Sequence, residues 1–190
     1  MARYTSFAVE LTGTLDAMQG MQATPGRIVL AQKRALGTVR RRLGTEAKRD
    51  IGAEYKLKAG RIAEGLDVRD TADGIKLIGR SRGVNAIQFG ATWSRRMKGG
   101  ARYSIKRGGD RGGRDGAFIA VGRSGNRLVF ERGGKGAVLN ARGNYPRLPL
   151  AAVYGPSIAQ MLKHGRRPER LAEFAVRVLQ SEQQRLLGSK

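Results

Sequence analysis

The chain has 190 residues, 37 Lys+Arg against 15 Asp+Glu, a formal charge of +22 and no cysteine. Disulfide and thiolate chemistry are therefore closed to it, and no apolar run approaches the roughly 20 residues of a membrane helix. With 40% hydrophobic residues it has the material for a core, so one domain over 1–190 is expected rather than wholesale disorder.

The first residues lack the basic-then-apolar pattern of a signal peptide, so synthesis in the cytoplasm is expected. The charge is uneven. Residues 25–62 hold eleven basic and three acidic residues, and residues 93–116 hold eight and two, whereas 1–24 and 63–92 carry no excess. Arginine outnumbers lysine, which favours forked contacts to phosphate or carboxylate. An acidic neighbour follows, with nucleic acid the first candidate.

In chain order, residues 1–24 read as a strand and a short helix. Phe7, Val9 and Leu11 alternate with Ala8, Glu10 and Thr12. Leu15, Met18 and Met21 then mark the helix, which Thr24-Pro25-Gly26 closes. A long helix starts at Pro25, where a missing N–H costs nothing. Leu36, Val39, Leu43, Ala47 and Ile51 form its apolar stripe. Arg34, Arg40, Arg41 and Arg42 fall off that stripe and form a basic face, with Lys48 and Arg49 beyond them. Like charges on one face repel, so an acidic neighbour is expected there too. A second short helix spans 57–64.

Strands are expected at 75–78, at 85–90 (where Ile87 and Phe89 alternate) and at 117–121, and Arg127–Arg132 returns after the Ser124-Gly125-Asn126 turn. The end is helical, first at 158–162 and then over a stripe of Leu171, Phe174, Ala175, Val178, Leu179 and Leu186 that Gly188 ends. Segregated strands and helices argue for an α+β fold: a small antiparallel or mixed sheet packed against a long N-terminal helix and a C-terminal helix.

No catalytic constellation and no metal or cofactor site is visible. His164 is the single histidine and has no cysteine to help it hold zinc. Asp67, Asp70 and Asp73 lack the further ligands of a calcium loop and have Arg69 and Lys76 beside them, so they read as a surface turn. The Gly108–Arg114 run lacks the ending of a phosphate loop.

Residues 93–116 are the candidate interaction segment. Arg95, Arg96, Lys98, Arg102, Lys106, Arg107, Arg111 and Arg114 are mixed with seven glycines, and Trp93 and Tyr103 offer stacking surfaces. So little apolar content predicts a basic Gly-rich loop or arm that touches DNA backbone or an acidic protein surface.

Four stretches in a fixed order then carry a resemblance. They are Gly116-Ala117-Phe118-Ile119, the strand to Phe130-Glu131-Arg132, Tyr145-Pro146-Arg147-Leu148-Pro149-Leu150, and Val153-Tyr154-Gly155-Pro156-Ser157-Ile158. Over residues 25–187 the chain resembles the minor tail protein Z family, tail-completion proteins of long-tailed phages. The Lys/Arg tract before Gly116 fits that family, while the glycine content and the loop from Gly134 to Asn144 depart from it. The resemblance implies a non-enzymatic virion protein of the neck or upper tail. It implies a homo-hexameric ring that helps head–tail joining and DNA passage. The partners it implies are the tail terminator, the tail tube, head-completion or connector proteins and DNA in the channel. The alternative from charge alone is a sequence-nonspecific nucleic-acid-binding protein. A nuclease would need the clustered carboxylates that the sequence lacks.

Overall fold

The computed structural model describes residues 4–10, 25–71, 74–95, 100–109, 112–132 and 150–188. The expected short helix before Pro25 lies outside them, as do Asp73 and the stretch from Tyr145 to Pro149. The fold is α+β, with a long N-terminal helix, small antiparallel sheets and a C-terminal helix. No described helix is long and apolar enough to cross a membrane. The chain gathers into two compact units, one of Met1–Ile51, Ala59–Arg82 and Ile158–Lys190, the other of Gly52–Lys58 and Gly83–Ser157.

The first unit holds a three-stranded antiparallel sheet. Strand β3 (Gly74–Arg80) lies between β1 (Tyr4–Glu10) and β2 (Leu66–Thr71). The N-terminal strand is thus occupied within its own chain: Tyr4 faces Arg80 and Glu10 faces Gly74 in an unbroken register. Asp67 and Asp70 sit on β2 and not in a turn. Along β3, Ile75, Leu77 and Gly79 are buried in alternation with half-buried Lys76, Ile78 and Arg80, as the two-residue period of a strand requires. Gly79 has a specific reason. A Cβ there would lie 2.8 Å from the backbone of Ala159, so only glycine lets helix α3 (Ile158–Leu162) lie against the sheet.

Helix α1 (Pro25–Glu54) buries Ala31, Ala35, Val39, Leu43, Ala47 and Ile51, one residue every four. That spacing brings one narrow face of small and branched side chains inward. Leu36 is only half-buried. Gly44 lies on α1 where a Cβ would meet the Val68 side chain of β2 at 3.2 Å. Helix α2 (Ala59–Glu64) follows and buries Ile62. Helix α4 (Arg167–Gly188) buries Leu171, Ala175, Val178, Leu179 and, less expectedly, Glu182.

The second unit is built almost wholly of strands. Strands β4 (Gly83–Asn85) and β11 (Tyr154–Ser157) pair antiparallel. The register shifts at Gly155-Pro156, where proline has no N–H to give to a ladder. A second sheet runs β5 (Thr92–Ser94), β6 (Gly100–Tyr103), β7 (Gly112–Arg114). A third runs β10 (Leu150–Ala152), β9 (Arg127–Arg132), β8 (Phe118–Val121). Ala86, Ala91, Ala101, Ala117, Val129 and Val153 form the core. This cluster of alanines and valines brings backbones close, with Ile87, Tyr103 and Ile119 packed against it and Phe89 fully buried in the same unit. Polar bonding supplements it.

Asn85 is the centre of that bonding. It is buried, its Oδ1 accepts from the N–H of Ile87 (3.1 Å) and of Val129 (3.0 Å), and its Nδ2 donates to the carbonyl of Val129 (3.3 Å). The same side chain corrects the expectation of a strand over 85–90. By capping Ile87 it turns Ala86–Phe89 into a 3-10 helix, which Gly90 ends at φ 72° by donating its N–H back to Ile87. The alternation of Ile87 and Phe89 mimics a strand, but the cap decides.

Candidate interaction surface

The segment expected as an arm carries three strands in its described parts. Thr92–Ser94 pairs with Gly100–Arg102, and Ala101–Tyr103 pairs with Gly112–Arg114. The composition argument misses this because small residues are the ones that pack here. Gly100 and Ala101 are buried, and Gly112 and Gly113 supply backbone pairing alone.

The eight basic residues of the segment divide. Arg96, Lys98 and Arg111 lie outside the described residues. Lys106 makes an ion pair with Glu54 (2.7 Å), and its Nζ lies 6.0 Å from the centre of the Tyr55 ring. Arg107 donates its Nε to the carbonyl of Gly52 (2.7 Å) and its backbone N–H to the carbonyl of Glu54 (2.8 Å). Together with the Lys56 N–H donated to Ile105 (2.8 Å), these bonds hold residues 52–58 antiparallel beside 104–107. Arg114 pairs with Glu131 across the unit (2.9 Å). Arg95 is exposed and Arg102 half-buried, and neither has a carboxylate partner among the described residues.

The basic face of α1 divides in the same way. Arg40 is paired with Asp70 (2.8 Å), and Arg42 lies 3.9 Å from Glu182. Arg34 and Arg41 remain exposed without a carboxylate partner among the described residues, although Arg41 donates to the Thr38 hydroxyl (3.4 Å). Asp67 pairs with Arg69 (2.6 Å). Among the described residues no cluster of three or more His, Asp or Glu could hold a metal ion.

Two features were not anticipated from sequence. The first is a buried cation. Arg167 is 1% exposed, donates to the carbonyl of Met161 and approaches the Asp50 carboxylate at 3.4 Å. Arg170 bonds both oxygens of the same carboxylate (2.8 and 2.7 Å). This cluster fixes α4 to α1 and is structural.

The second is an open groove of about 720 Å³ in the strand-rich unit, lined by Ile87, Ala91, Thr92, Trp93, Phe118, Ile119 and Arg127. Phe118 is tilted against Phe130, with ring centres 6.1 Å apart, and carries the Arg132 guanidinium over its ring at 5.3 Å. Trp93 is legible in the sequence as a stacking surface. Arg127 is not, because only the folded unit brings it to the same groove as Thr92 and Trp93.

Of the four stretches behind the family resemblance, three have places in this framework, and Tyr145 to Pro149 lies outside the described residues. Ala117 is fully buried, Phe118 faces Phe130, and Ile119 faces Val129. Gly155 leaves room for Phe89, whose Cε2 would lie 2.7 Å from a Cβ there. Ser157 is buried where α3 begins. The strand-rich unit contains sixteen Lys+Arg but only four acidic residues, Glu54, Asp110, Asp115 and Glu131, and two of the four are already paired. No family model, curated protein or solved structure is similar enough to the chain to be matched.

Proposed function

We propose that this chain is a tail-completion protein of a long-tailed phage or prophage, a structural part of the virion neck or upper tail that assembles as a ring, sixfold in the family it resembles, for head–tail joining. The observation that carries this reading is the order of four stretches, from Gly116-Ala117-Phe118-Ile119 to Val153-Tyr154-Gly155-Pro156-Ser157-Ile158. The basic strand-rich unit supports it as well, because a ring beside DNA or beside acidic subunits gains from a surplus of arginine. In this reading the chain performs no reaction and holds no cofactor. Its partners are its own copies, the tail terminator, the tail tube, head-completion or connector proteins, and the packaged DNA.

The test is assembly. Purified protein mixed with tail tubes and viewed by negative stain should give rings at one tube end. A protein that stays monomeric and is absent from virions would refute the reading. Charge variants should be chosen from residues without internal bonds. Replacing Arg107 or Arg114 removes contacts within the unit, whereas Arg95→Gln/Arg123→Gln/Arg127→Gln removes exposed charge only. That triple variant should fold normally and reduce head–tail joining. Unchanged infectivity would show that this charge has no part in assembly.

Sequence-nonspecific nucleic-acid binding is a second reading, favoured by the sixteen-to-four charge ratio of the strand-rich unit. It requires affinity for random duplex that falls steeply with salt.

A further inference from the structure

The groove in the strand-rich unit has the makings of a peptide site. Its floor is apolar, from Ile87, Ala91, Phe118 and Ile119, and its walls are Trp93 and Arg127. Trp93 is 53% exposed, a large apolar surface left in water. The rim continues in the same character, since Val121 is 67% exposed and faces Arg127 across the β8–β9 ladder. The backbone around the groove also matters. Among the described residues, strand β5, which carries Trp93, and strand β8, which carries Ile119 and Val121, are each the outer strand of their sheet. An outer strand presents alternating N–H and C=O groups that another extended chain can pair with.

We propose that this groove receives an extended segment of another protein, one that places an apolar side chain between Trp93 and Ile119 and a carboxylate against Arg127. Charge selects the partner. No two acidic residues are adjacent in this chain, so a second copy offers no acidic segment to the groove. An acidic segment is attracted to a unit with four acidic residues against sixteen basic ones. Nucleic acid fits less well on two counts. Phosphates can accept hydrogen bonds but cannot donate to strand carbonyls. A single strand held by stacking also wants successive aromatic platforms, and Trp93 is the one tryptophan in the chain. The inference does not rest on membership of a neck ring, and its test uses the free protein, so the two can fail separately.

Because Trp93 is the sole tryptophan, its fluorescence reports this groove alone. The full chain is titrated with a capped peptide of three aspartates on each side of a central leucine. A peptide with serine at the centre and an oligothymidylate serve as comparisons. The leucine peptide should shift Trp93 emission to shorter wavelength and bind about tenfold more tightly than the serine peptide, the effect of partly burying one leucine. Arg127→Glu should weaken the leucine peptide about tenfold, and Arg123→Glu, at the exposed turn outside the groove, less than threefold. Circular dichroism confirms that both variants fold. Equal binding of the leucine and serine peptides, or equal losses from the two variants, would overturn the proposal in favour of diffuse charge attraction. An emission shift with oligothymidylate and none with the leucine peptide would overturn it in favour of base stacking.

Discussion

Replacing Asp50 by alanine tests what fixes the two long helices of the first unit. The Asp50 carboxylate is 19% exposed and receives Arg170 through two bonds, while Arg167, 1% exposed, approaches it at 3.4 Å. Without it, Arg167 keeps the carbonyl of Met161 and a long contact to the carbonyl of residue 50 (3.5 Å) but loses the Asp50 carboxylate. Removing one partner of a buried pair costs about 3–5 kcal/mol, and partial exposure of Asp50 places this site near 3 kcal/mol. With a urea slope of about 2 kcal/mol/M, the midpoint should fall by about 1.5 M. Far-UV circular dichroism is the suitable probe, because α1 and α4 dominate the helical signal. Arg170→Ala, whose side chain is 54% exposed, should cost only about 0.5 kcal/mol. The double variant Asp50→Ala/Arg167→Met should be more stable than Asp50→Ala alone, since it removes the buried cation that Asp50 helps to balance. If Asp50→Ala costs no more than Arg170→Ala, or if the double variant is simply additive, the buried pair does not hold these helices.

Gly79→Val should destabilise the first unit by about 2–3 kcal/mol, because the Ala159 backbone at 2.8 Å cannot swing aside as the Leu162 side chain at 2.9 Å can; thermal unfolding followed at 222 nm measures it. Asn85→Ala should cost the strand-rich unit about 1–3 kcal/mol, because it strands the N–H of Val129 and uncaps Ile87, while the Val129 carbonyl keeps the N–H of Val153. Trp93 fluorescence in urea reports that loss within the unit concerned, and a midpoint unchanged from the parent would show that water replaces the amide.

The elements legible in the sequence are those whose signal is local. The four-residue stripe of α1 runs from Ala31 to Ile51, and the hairpin of β8 and β9 closes on Ser124-Gly125-Asn126, where Gly125 adopts φ 76°. What escaped reading depends on partners far along the chain. Asn85 looks like the start of a strand, yet it ends β4 because its amide, set by Val129, caps Ile87. Arg167, one residue before a proline, looks like an exposed cation at a helix start, yet Asp50 draws it inside. The β5–β6–β7 sheet hides in a composition of glycine and arginine because its packing residues are Gly100 and Ala101. The charged faces misled for the same reason: Arg40 and Arg42 gain Asp70 and Glu182 only after folding.

The net charge can then be divided by what each cation does. Arg40, Arg42, Arg49, Arg61, Arg69, Lys106, Arg114, Arg167, Arg170 and Arg185 have carboxylates within the chain. Such pairs consume charge without drawing a partner and, when exposed, add little stability. Among the described cations lacking a carboxylate, Lys56, Lys58, Arg95, Arg102, Arg107, Arg123, Arg127 and Arg132 belong to the strand-rich unit, and all but Arg102 are exposed. Three of them sit on the hairpin strand β9 or the turn before it, and Arg127 lines the groove with Trp93. The charge available for recognition is therefore borne less by a loose glycine-rich arm than by ordered strands, where arginine side chains start from fixed positions. Fixed cations beside an apolar groove favour a partner whose carboxylates and apolar side chains are equally spaced along an extended backbone, which is a demand for shape as well as charge.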